Sequence, residues 1–122
     1  MMRCPTAGEL QSALVAFDRD DAGPVDPRRI FLARVADNAR ALLQREAALG
    51  EAAEAGERAR LATLLGVEGD FTVLNRKLCD ALRSGALEPR DPALLAHLRT
   101  TAMARIAIDQ PGYCGIEALL DG

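Results

Sequence analysis

Residues 26–50 read DPRRIFLARVADNARALLQREAALG, and this stretch decides the fold class. Asp26 has the chemistry of a helix N-cap, and Pro27 suits the first helical position, where a missing N–H costs nothing. Phe31, Val35, Asn38, Leu42 and Leu49 then recur at helical intervals, with Ala39 and Leu43 alongside. That spacing marks one face of a helix and excludes the period-2 alternation of a strand. Gly50 is expected to stop the helix, leaving about 22 residues and roughly 33 Å at 1.5 Å per residue.

Working outward, the same grammar repeats. Upstream, Thr6 and Glu9 form a capping-box pattern, and Leu10, Leu14 and Phe17 give a first helix ending near Phe17 or Arg19. The acidic segment 18–26, with Gly23-Pro24 inside it, reads as a loop. Downstream, a third helix is expected to take up within 51–57 and to carry Leu61, Leu64 and Leu65 to Gly66. Asp70 caps a fourth, with Phe71, Leu74, Leu78 and Leu82 on one face and Gly85 at its end. Asp91-Pro92 opens a fifth, whose face is Leu94, Leu95, Leu98, Ala102 and Ile106, closed by Pro111-Gly112. Residues 1–5 and 113–122 read as loosely ordered, with Ile116, Leu119 and Leu120 docking as a short turn. The expectation is an all-α, single-domain bundle of about five helices over residues 1–122, built as antiparallel helical hairpins.

Composition agrees with that architecture. Among 122 residues are 23 Ala and 18 Leu, both strong helix formers. Aromatic residues make up 3% and hydrophobic residues 49% of the chain, too apolar for wholesale disorder. The net charge of −3 speaks against nucleic acid. The eight-residue run Leu10–Phe17 is the longest without a charge, far short of the roughly 20 residues of a membrane span. Cys4, Cys79 and Cys114 are odd in number and far apart, which argues against a disulfide framework and for a reducing, cytoplasmic setting.

Few residues point to chemistry. Asn38 interrupts the apolar stripe of the long helix, Asn75 flanks that of the fourth, and Asp109 falls where the fifth ends. A buried amide without a partner costs about 1–3 kcal/mol, so these residues either fix helix register or line a ligand pocket. In the pocket reading, Asn38, Asn75 and His97 are the ligand-binding residues. His97 is the only histidine. No Glu or second His sits one helical turn from it, so neither a metal set nor a local acid–base pair can be drawn. Cys79 reads as a small mid-helix hydrophobe. Glycines are scattered at helix ends, with no phosphate-cradling loop. Arg28, Arg29, Arg34, Arg40 and Arg45 give the long helix a basic cast that solvates it or meets an acidic partner. No catalytic residue, metal or cofactor is assigned.

Taken in order, several phrases carry a resemblance: PTAGEL at 5–10, RVADNA at 34–39, LATLLG at 61–66, LNRKL at 74–78, DPALLAHL at 91–98 and IAIDQP at 106–111. Together they resemble a bacterial family of small helical domains of unknown function. Its members tend to be encoded beside kinase-like phosphotransferases of the aminoglycoside-phosphotransferase type and beside acyl-CoA dehydrogenases. Asn38 and Asn75 fall where such proteins also tend to have Asn, whereas Leu32 and Gln110 depart from the usual pattern. The resemblance implies an accessory or interaction protein acting with a phosphotransferase-like kinase. An alternative is a protein, or an enzyme, that binds acyl-CoA or a phosphorylated metabolite in an inter-helix pocket. Self-association through an apolar helix face, giving a homodimer, is a third reading.

Overall fold

A computed structural model describes residues 4–20, 23 and 26–120, with Leu119 described for its backbone alone. The fold is all-α. Among the described residues five helices follow in order: α1 (Ala7–Arg19), α2 (Pro27–Leu65), α3 (Phe71–Ser84), α4 (Pro92–Asp109) and α5 (Ile116–Leu120). Among the described residues there is no strand, and no helix is long and apolar enough to cross a membrane.

The local rules explain most helix starts. Thr6 Oγ1 accepts from the Glu9 N–H at 3.2 Å while the Glu9 carboxylate accepts from the Thr6 N–H at 2.7 Å, a reciprocal capping box. These hydrogen bonds hold the Glu9 carboxyl below its ordinary range, the Thr6 backbone N–H contributing most. Asp26 Oδ1 caps α2 by accepting from the Arg29 N–H at 2.8 Å. Asp91 caps α4 through the N–H groups of Ala93 and Leu94 at 2.8 and 3.0 Å, with Pro92 at the first turn. Asp70 precedes α3 but its side chain makes no cap hydrogen bond.

One boundary differs from the sequence expectation. Gly50 does not end the long helix; α2 continues through it and absorbs the separate third helix expected at 51–65. Gly50 lacks the positive φ of a helix-ending glycine, which only Gly66 and Gly85 adopt among the described residues. The following EAAEA segment is rich in strong helix formers. Their propensity outweighs the roughly 1 kcal/mol that an interior glycine costs. Gly66 is the true stop: at φ 64° it lets the Val67 N–H reach the Ala62 carbonyl at 3.2 Å, a Schellman closure.

The chain forms two compact units, residues 1–48 and 49–122. The first pairs α1 with the N-terminal half of α2. No residue of α1 is buried, and Ala36 is the one buried residue described in this unit. Leu10, Leu14 and Phe17 of α1 are half-buried, and charged contacts join the two helices. Arg40 pairs with Asp18 and, at 2.9 Å, with Asp37, and these partners raise its pKa, the hydrogen bond to Asp18 most. Arg29 donates to the Asp20 carbonyl at 2.8 Å and lies 5.7 Å from the centre of the Phe17 ring, a cation–π contact. The basic residues Arg29 and Arg40 thus serve the hairpin itself.

The second unit has a conventional core. Leu61, Leu74, Leu78 and Leu94 are buried together, with Leu64, Leu65, Val67, Phe71, Leu82 and Leu87 packed around them. Ile108 is fully buried on α4, and α5 contacts α4. Cys79 is half-buried and free, and Cys4 and Cys114 are exposed.

Candidate functional site

On α4 the buried side chains are Leu94, His97 and Ile108, spaced so that His97 shares the core-facing side one turn from Leu94. Leu95 and Leu98, expected on that face, stand half-exposed. The opposing stretch of α2 also buries a polar group, Glu57, four residues before the core residue Leu61. A polar seam results within the second unit.

Its geometry is specific. Glu57, with its side chain 8% exposed, accepts from Arg105 at 3.3 Å. Arg60 donates through Nη2 to Thr101 Oγ1 at 3.3 Å, and this neutral hydroxyl is its partner in place of a carboxylate. The guanidinium lies against Gly56, where an added Cβ would meet Nη1 at 3.2 Å. Arg60 Nε and His97 Nδ1 are buried without hydrogen-bond partners, an arrangement that costs about 1–3 kcal/mol per group. His97 is held below its ordinary pKa of 6.5, first by burial and then by the Arg60 charge, with Glu57 opposing. The imidazole is therefore neutral at physiological pH.

Arg60, Thr63 and Leu64 from α2 and Ala96, His97 and Thr100 from α4 line a cleft of about 250 Å³. Of the three residues expected to bind a ligand, His97 lines this cleft; Asn38 and Asn75 are not among its lining residues. Asn75 is half-buried on α3, and Asn38 is exposed on α2 in the first unit. Asp109 is exposed at the end of α4. Sequence reasoning passed over Glu57, Arg60 and Arg105, although Glu57, one turn before Leu61, carried a signal.

The other notable surface is in the first unit. The stripe expected to be core on α2 is largely uncovered. Phe31 is 63% and Val35 47% exposed, Ile30 and Leu32 are exposed beside them, and Asn38 continues the line. Leu49, at the start of the second unit, is 43% exposed. The reason lies in the hairpin pairing. Arg29 and Arg40 engage the end of α1, so the short helix covers the Ala36 side of α2 and leaves the Phe31–Val35 side open.

Residues 24–113 match the model of a family described as a domain of unknown function, DUF6285. The chain belongs to this family. The DUF6285 region takes in all of α2, α3 and α4, hence both the polar seam and the open face, while α1 and α5 lie outside it. No curated protein and no solved structure matches the chain.

Proposed function

We propose that this DUF6285 protein is an interaction module that docks a phosphotransferase-like kinase through the open apolar face of α2. The observation that carries the reading is the exposure of Phe31 and Val35 on a unit with almost no buried core of its own. Contiguous apolar surface of this kind, on a helix presenting residues at i and i+4, is the usual mark of a helix-mediated protein contact. Arg28 and Arg34 flank the patch and are exposed, so the complementary surface is apolar with an acidic rim. The kinase as partner follows from the family resemblance of the sequence, and the role is binding, stabilisation or regulation rather than chemistry.

Co-expression with a phosphotransferase-like kinase from the same genome, followed by affinity purification, tests this. The two proteins should co-purify, and the double substitution Phe31→Ser and Val35→Ser should abolish the complex while leaving the helical content unchanged. A kinase that is soluble and active alone, with no detectable complex, refutes the proposal. So does a stable homodimer that covers the same face, visible by sedimentation.

A second reading, binding of a small ligand between helices, is favoured by one observation: a buried, unpartnered His97 beside a cleft. At about 250 Å³ the cleft lies below the range of roughly 300–1,000 Å³ typical of drug-sized ligands. It suits a fragment far smaller than acyl-CoA.

A further inference from the structure

We propose that the cleft between α2 and α4 binds a small aliphatic monocarboxylate, held by the guanidinium of Arg60 and the imidazole of His97. This deepens the ligand-binding reading and is independent of kinase docking, because every residue involved belongs to the second unit.

Charge matching is the first argument. The seam contains two arginines and one carboxylate. Glu57 is committed to Arg105, and no carboxylate among the described residues pairs with Arg60. An arginine that is partly buried, with its Nε fully shielded and idle, is a positive charge awaiting an anion.

Hydrogen-bonding capacity is the second. Arg60 has an unused Nε–H, and a guanidinium can present two parallel donors to one carboxylate. His97, 5% exposed and with Nδ1 unpartnered, is held neutral and so carries one N–H that either nitrogen can bear. With the proton on Nδ1 it supplies a further donor. Both nitrogens are shielded from solvent, so binding requires each side chain to turn its N–H into the cleft. Gly56 leaves the guanidinium room, since any side chain there would press on Nη1.

The walls decide the rest of the ligand. Leu64, Ala96 and the methyl groups of Thr63 and Thr100 are aliphatic, so the tail is aliphatic and, given the volume, a few carbons long. A phosphate dianion is disfavoured on the same grounds. It seeks more donors than one guanidinium and one imidazole. Ala93 of the first turn of α4 also lines the cleft, but the N–H groups of Ala93 and Leu94 are already taken by the Asp91 carboxylate.

The full-length protein titrated with butyrate, acetate and inorganic phosphate at pH 7.5, followed by ¹H–¹⁵N NMR, tests the assignment. Butyrate should give saturable shifts clustered at residues 56–64 and 93–101, with acetate weaker. Arg60→Gln should weaken butyrate binding at least about tenfold, as expected for loss of a charge-assisted contact. Ala96→Leu, which fills the cleft and keeps Arg60, should abolish it in a chain whose spectrum stays folded. Non-saturating shifts, equal binding by Arg60→Gln, or persistence of binding in Ala96→Leu would overturn the proposal. Phosphate binding as tightly as butyrate would overturn the carboxylate assignment while leaving a ligand site in place.

Discussion

Replacing Glu57 by Gln keeps the shape of the side chain and removes the one carboxylate that balances the seam. Glu57 is 8% exposed at its side chain, whereas its partner Arg105, 3.3 Å away, is 50% exposed. Breaking a fully buried pair costs about 3–5 kcal/mol, and an exposed pair contributes about 0–1 kcal/mol. Arg105 can swing into water and the glutamine oxygen can still accept, so the loss should fall between these limits, at about 1–2 kcal/mol. The pH dependence carries a second signature. His97 has a native pKa below 6.5, so the unfolded chain takes up its proton at a higher pH than the native one. Stability therefore falls as pH drops through the ordinary histidine value, and levels off below the native value. Glu57 is the group that favours His97 protonation, against Arg60 and burial. Its removal depresses the native pKa further and enlarges the drop. Because His97 is the only histidine, the window between pH 7.5 and 5.5 reports on this site with little interference. Urea unfolding followed by circular dichroism at pH 7.5, 6.5 and 5.5 measures both effects. A stability within about 0.5 kcal/mol of wild type at pH 7.5, or a shallower pH dependence in Glu57→Gln, refutes the reasoning.

Further outcomes follow from the burial pattern. Leu61→Ala, at a fully buried position, should cost about 2–5 kcal/mol in urea unfolding. Phe31→Ala, at a side chain 63% exposed, should leave the free protein within about 0.5 kcal/mol of wild type. Thr6→Ala removes the capping box of α1 and should weaken that helix by about 1 kcal/mol, read as faster amide exchange over residues 7–12. Asp18→Asn removes an ion pair that is more than a third exposed at both ends and contributes about 0–1 kcal/mol, so exchange in α1 should speed up by no more than about fivefold.

The helix starts were legible because capping is local: Thr6, Asp26 and Asp91 each act within three residues of themselves. Gly66 and Gly85 were legible as stops for the same reason. Gly50 was misleading, since whether a glycine ends a helix depends on the sequence beyond it, here a strong helix former. Periodicity showed that Phe31, Val35 and Asn38 share a face, but it carries no information on whether anything covers that face. On α4 the same ambiguity exchanged faces. Leu94, Leu95 and Leu98 look like the core, yet Leu94, His97 and Ile108 occupy it. The seam was out of reach for a plainer reason: Glu57 and Arg105 are 48 residues apart, and Arg60 and Thr101 are 41 apart. Only tertiary packing brings such pairs together.

The central claim is that the Phe31–Val35 face of α2 is a docking surface. Hydrogen exchange of the protein with and without the proposed partner, a phosphotransferase-like kinase from the same genome, tests it most directly. Amides of residues 29–42 should gain protection in the complex, and Phe31→Ser with Val35→Ser should remove the gain. A complex that forms with no added protection in that segment, or that survives the double substitution unweakened, would contradict it.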